Sequence, residues 1–143
     1  MIHKFISQFC DRKFDTVKIR RNYYLADKSL LDIRDKIKKN MNLEPESAGV
    51  FLGTEKKDFT PSFALLELLS KHSKKKAFVD DKTEWLFLCG RDIFKESVKK
   101  CSAKEGLVLV QNKHDENLGL GKIVDKKDLF IKNISNRGKF LHY

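Results

Sequence analysis

Proline and glycine are scarce in this chain, with 2 and 7 occurrences in 143 residues. That scarcity excludes a collagen-like or linker-dominated polypeptide. No run approaches the roughly 18 apolar residues of a membrane-spanning helix. The opening Met1-Ile2-His3-Lys4-Phe5 lacks the apolar centre of a secretion signal. Cysteine is limited to Cys10, Cys89 and Cys101, odd in number, widely spaced and without a C-x-x-C pair. A disulfide framework or a mainly cysteine zinc site is therefore not expected, and reduced thiols fit a cytosol. The histidines His3, His72, His114 and His142 are scattered and give no H-x-x-x-H spacing. The expectation is a soluble cytoplasmic protein with no metal, no cofactor and no membrane association.

Positive charge and aromatic residues are what the chain has in plenty. Lys and Arg number 30 against 20 Asp and Glu, for a net charge of +10. Such an excess attracts polyanions, because each cation that neutralises a phosphate releases a condensed counterion. A second account is open at this point: only 6 of those cations are Arg, and lysine is also an ordinary solvating surface residue. Hydrophobic residues make up 41% and include 11 Phe, enough for a packed core.

Along the chain, Ile2, Phe5, Ile6 and Phe9 recur at helical spacing and predict a short amphipathic helix over 2–10. Val17 and Ile19 alternate with Lys18 and Arg20, Asn22 can turn the chain, and Tyr23-Tyr24-Leu25 favours a strand, so a hairpin is expected. Ser29 and Asp32 open a helix lined by Leu30, Ile33, Ile37 and Met41. Residues 48–54 read as a strand. Thr60-Pro61 reads as a helix start, followed by Leu65, Leu66, Leu68 and Leu69 on the buried face, with Lys71 and His72 at its end. The run Ser73-Lys74-Lys75-Lys76 is either a domain linker or a solvated joint. Beyond it strands dominate, over 77–79, 85–88, 107–111, 118–124, 129–134 and 139–143, with a short helix expected within 92–100. Many short strands in so few residues argue for a small barrel or curled sheet. The fold class is α+β: a mixed α/β domain over 1–74, then a mostly-β domain over 75–143.

The block Trp85-Leu86-Phe87-Leu88-Cys89-Gly90-Arg91-Asp92-Ile93-Phe94, with Leu118-Gly119-Leu120-Gly121 and Asn136-Arg137-Gly138-Lys139-Phe140-Leu141, resembles a PUA domain. The chain is similar to the archaeal branch of the Nip-seven family, large-ribosomal-subunit biogenesis factors. These join an N-terminal pre-PUA domain to a C-terminal PUA domain. Phe51-Leu52-Gly53-Thr54 and Phe59-Thr60-Pro61 fall where that family has a strand, a loop and a helix start. The resemblance implies a pseudo-barrel that docks on structured RNA and carries no catalytic activity. It also implies ribosomal RNA and other biogenesis or RNA-processing proteins as partners. A monomer is expected.

The candidate RNA-binding residues are Lys126, Lys127, Lys132, Arg137, Lys139 and Arg91. From Lys126 onward the only acid is Asp128. Strand alternation puts Lys132 on one face with Phe130 and Ile134, at the rim if those two are core. Arg137 carries the one guanidinium of this segment, able to fork onto phosphate or stack on a base. The alternative is that all are ordinary surface residues. Arg91-Asp92 is expected at a helix start, with Asp92 as its cap. Gly119 and Gly121 do not make a dinucleotide loop, because no third glycine and no helix follow. They either relieve crowding in a bent strand or let RNA backbone come close. Trp85 reads as core, and Tyr23 and Tyr24 face opposite ways, leaving at most one to stack.

No constellation has catalytic spacing, so no catalytic residue is assigned and no enzyme is expected. The leading reading is an RNA-binding assembly factor in ribosomal RNA processing and large-subunit biogenesis. The alternatives are a protein-interaction adaptor in an RNA-processing complex, or a non-catalytic subunit of an RNA-modification enzyme.

Overall fold

A computed structural model describes residues 1–25 and 50–140. The chain divides into two compact units, Met1–Ser7 with Asp11–Leu65, and Gln8–Cys10 with Leu66–Tyr143. The expected helix opened by Ser29 lies outside the described residues, as do the first two residues of the strand expected over 48–54.

In the first unit, α1 (Ile2–Ser7) buries Ile2, Phe5 and Ile6, as the helical spacing requires. A four-stranded antiparallel sheet follows, in the order β1 (Thr16–Ile19), β2 (Asn22–Leu25), β3 (Val50–Glu55) and β4 (Phe59–Pro61). The hairpin β1–β2 sets Val17 opposite Tyr24. Its two-residue turn is Arg20-Arg21, not Asn22, and Arg20 takes a positive φ of 59°. Tyr23 and Tyr24 are both buried, so neither is available to stack on a ligand. Tyr24 joins Val17 and Ile19 on one face. On the other, the rings of Tyr23 and Phe5 lie 5.9 and 5.2 Å from that of Phe59. The Tyr23 hydroxyl donates to Glu55 Oε2 at 2.9 Å, and the same oxygen is paired with Lys18.

Thr60-Pro61 does not open a helix. Thr60 pairs with Thr54 and Pro61 with Gly53 in the sheet. Proline suits this place because it ends the strand, where a ladder donor is dispensable. The cap is Ser62, whose Oγ accepts from the Leu65 N–H at 3.2 Å. The helix that follows, α2 (Phe63–His72), buries Leu65, Leu66 and Leu69 completely, and Leu68 partly.

The second unit is built on a six-stranded sheet. Its strands are β5 (Lys76–Val79), β6 (Ile93–Phe94), β7 (Val98–Cys101), β8 (Gly106–Gln111), β9 (Asn117–Lys126) and β10 (Leu129–Asn136), in the order β6-β10-β9-β8-β5-β7. All neighbours are antiparallel except β5 and β8. The sheet curls around a core of Ala77, Val79, Phe87, Ile93, Val108 and Val110, with Leu118, Ile123 and Ile131. This is the α+β, mostly-β architecture expected of a PUA-like fold, with few helices.

Three expectations fail here. Residues 85–88 are not a strand but the end of α3 (Asp81–Leu88). The Asp80 carboxylate caps it, Oδ1 accepting from the Thr83 N–H at 2.8 Å, and Thr83 and Phe87 turn inward one turn apart. The helix expected within 92–100 is instead β6, a 3-10 turn Lys95–Ser97 and β7. Ile93 is drawn into the sheet by Ile131, and Val98 and Cys101 by β5. Of the strand expected over 139–143, the first two residues lie in a 3-10 turn, Arg137–Phe140; the last three lie outside the described residues.

Gly119 and Gly121 do what crowding demands. A Cβ on Gly119 would stand 2.1 Å from the Ser135 carbonyl oxygen, and one on Gly121 would stand 2.4 Å from the Ile131 side chain. Both glycines are buried, so their bareness serves protein packing and not a ligand. Gly119 has in addition φ +150°, a conformation side chains rarely adopt. Gly119→Ala should therefore cost at least about 1–3 kcal/mol from the backbone alone, read as a lowered midpoint in thermal or urea unfolding.

The Asp80 cap has a pH signature. The Thr83 backbone N–H holds its carboxyl below the ordinary aspartate range, with a further contribution from the Thr83 side chain. A depressed native pKa means stability that is present above the unfolded value and lost as pH falls through the folded one. Asp80→Asn should keep a cap and flatten that acid dependence of Tm, while Asp80→Ala should lower Tm at neutral pH.

Candidate nucleic-acid interface

The outer face of the β9–β10 ladder collects much of the basic sequence. Ile123 and Ile131 pair with each other and point into the core. Their neighbours Lys122 and Lys132 therefore point outward, and they too are direct cross-strand partners. Both are exposed. Like charges set directly opposite each other destabilise a sheet, so this pair carries a cost that a bound anion would relieve. Lys126 ends β9 and Lys127 follows in the turn with a positive φ of 52°, both exposed. Among the described residues, none of these four lysines is in an ion pair.

Strict alternation does not hold around Lys132. Ile134 is 43% exposed and Ile131 is the core residue. Phe130 packs against the core and Ile134 does not, so Lys132 has a core residue on one side only. A bulge between Asn133 and Ser135 breaks the pattern that strict alternation assumes.

Arg91, in the loop after α3, is tied to β10 from the core side of the sheet, opposite the face of Lys132. Asn133, adjacent to Lys132 on β10, uses its side-chain amide to donate to the carbonyl oxygens of Phe87 at 2.8 Å and Arg91 at 3.1 Å. Asp92 Oδ1 accepts from the Asn133 backbone N–H at 2.7 Å. Asp92 is therefore a tether to β10 and not a helix cap, since no helix follows it. The three bonds fix the exposed Arg91 beside the middle of β10. Between α3 and β6 lies a cleft of about 330 Å³, lined by Leu86, Arg91, Asp92, Phe94 and Leu129 among others. Phe94, on its wall, is 51% exposed.

Arg137 is not on this open face in the way its guanidinium suggested. It begins the 3-10 turn after β10, and its Nη2 lies 3.4 Å from Glu67 Oε1 of α2. That turn presses on the end of α3: a Cβ on Gly138 would stand 1.7 Å from the Leu88 carbonyl oxygen. Lys139 shares the turn, and its side chain is outside the description. The sequence-expected set is thus divided: Lys126, Lys127 and Lys132 lie exposed on the β9–β10 hairpin, Arg91 is tied to the other side of β10, and Arg137 is engaged by a carboxylate.

Sequence reasoning missed Lys122 and misplaced Trp85. Lys122 was legible in principle as the one polar position in Leu118-Gly-Leu-Gly-Lys-Ile-Val. Trp85 is 65% exposed on α3, where a strand reading put it in the core. Removing the Asn133 amide with Asn133→Ala should take its donor from the Arg91 carbonyl and leave that of Phe87 with the Gly90 N–H alone, for a loss of about 1 kcal/mol. Hydrogen exchange should rise at the residues of the Arg91 loop more than in β8.

The second unit is similar to domains of known proteins. Residues 75–143 match the family model of the UPF0113 PUA domain. A UPF0113 protein of Archaeoglobus fulgidus is 32% identical over 112 residues, which is 71% of this chain and 64% of that relative. The chain so matches less than two thirds of the length of that curated relative. A solved structure of a conserved PUA domain protein from Thermoplasma acidophilum covers 98% of this chain and 89% of its own, at 16% identity and a TM-score of 0.59. At that identity the likeness is one of fold, and the fold it shows is that of a PUA domain protein.

Proposed function

We propose that this chain binds RNA through the outer face of β9–β10 and acts as an assembly factor and not as a catalyst. The observation that carries the reading is the exposed row Lys122, Lys132, Lys126 and Lys127 within the segment that matches a PUA domain. Flexible lysines on a curved sheet suit a phosphate backbone, which needs charge at intervals and no fixed fork geometry. Recognition would rest on RNA shape and unpaired segments, with little reading of sequence in helical regions. Ribosomal RNA during large-subunit assembly is the substrate we propose, in line with the resemblance to the Nip-seven family. Other assembly proteins are the proposed partners.

Binding measured against salt tests the reading. The intact chain should bind single-stranded RNA with a log–log salt slope well away from zero. Changing Lys122, Lys126, Lys127 and Lys132 together to Ala should make that slope shallower by about 0.7 per lost contact, up to about 3 in all. Arg137→Ala should move it less, because Glu67 already engages that side chain. A parent slope near zero would overturn the reading. An unchanged slope in the fourfold variant would move the binding surface off β9–β10.

A further inference from the structure

Helix α3 turns Thr83 and Phe87 into the core, one turn apart. At 100° per residue, position 85 then lies on the side of the helix directly away from the core. The residue there is the only tryptophan of the chain, and it is 65% exposed. Single exposed apolar residues are common and mean little alone. What sets this one apart is its electrostatic setting. Lys82, exposed, sits one turn before it on the same stripe, and the exposed Arg91 follows in the loop after the helix. The acids of this helix are each held by a partner. Asp80 caps the helix, Asp81 Oδ2 lies 3.0 Å from the Lys113 ammonium, and Glu84 Oε1 accepts from the Asn112 amide at 3.3 Å. Among the described residues, Lys82 and Arg91 are the cations near the indole that no carboxylate pairs with.

We propose that Trp85 is a stacking platform for an unpaired RNA base, with Lys82 available to the adjoining phosphate. The inference rests on the RNA-binding reading above and extends it from the β9–β10 face around to α3. A flat, exposed indole accepts any base on its face, so the contact is sequence-tolerant but demands a single strand. It gives the chain a way to distinguish unpaired from helical RNA that a lysine row alone lacks, because phosphates are present in both.

The intact protein carries its own probe, since all tryptophan emission comes from this site. Titration with an unstructured oligouridine should quench that emission, with the same midpoint as fluorescence anisotropy of the labelled RNA. A fully paired duplex should bind by anisotropy and leave the emission unmoved. Trp85→Ala should weaken oligouridine binding by about five- to a hundredfold, with Trp85→Phe recovering most of it. The salt slope of Trp85→Ala should match the parent, because stacking releases no counterion. The melting temperature should also match, because the ring is in water. If oligouridine binds by anisotropy while emission stays constant and Trp85→Ala binds as well as the parent, the stacking inference is wrong and the lysine-face reading stands. If neither RNA binds at low salt, both fall together.

Discussion

Where β9 meets β10, the two backbones lie so close that a single methyl group on Gly119 would occupy the space of the Ser135 carbonyl. Two residues on, Gly121 makes room for Ile131 in the same way. Sheets twist but do not curl this tightly unless side chains are missing at the bend. The curl brings β10 between β9 and β6, which lets Ile131 face Ile123 on one side and Ile93 on the other. That alignment fixes the outward direction of Lys122 and Lys132. It also places Asn133 where its amide reaches the end of α3. The basic face and the Arg91 loop are thus consequences of one close backbone approach.

The local patterns that proved legible were those in which burial follows a simple period. Ile2, Phe5, Ile6 and Phe9 are all buried, and Val17 and Ile19 share a face with Tyr24. The strands β8, β9 and β10 fall where their apolar runs stand. The errors cluster where a neighbour in space decides. The run Trp85-Leu86-Phe87-Leu88 has no alternation and reads as a buried strand, but a cap at Asp80 five residues earlier starts a helix through it. Phe94 and Val98 stand four apart in sequence, a helical spacing, and are claimed by strands on opposite edges of the sheet. Thr60-Pro61 has the composition of a cap and the partners of a strand.

The candidate site shows the same division. Lys126, Lys127 and Lys132 were visible because a turn and a strand leave basic residues in water. The local run marks Lys122 as an outward position, but its place opposite Lys132 comes only from the cross-strand register. Arg137 was singled out for its guanidinium, and a glutamate on α2 engages it. Trp85 reversed its role altogether, from core residue to the most exposed large apolar side chain of those described. A net charge of +10 attracts polyanions; the sheet register shows which cations stand side by side.

The partnership of β6 with β10 also has a consequence in time. Ile93 leaves the ribosome long before Ile131, its neighbour in the finished sheet. With roughly 40 residues between them and synthesis at about 5–20 residues per second, β6 waits about 2–8 s for the strand that covers it. During that interval Ile93 and the inner side of α3 have no β10 to close over them. Segments held open in this way are where nascent chains invite chaperones or aggregate. The charged residues that crowd this stretch, Lys95, Glu96, Lys99 and Lys100, are of the kind that keep an unpaired edge soluble until its partner arrives.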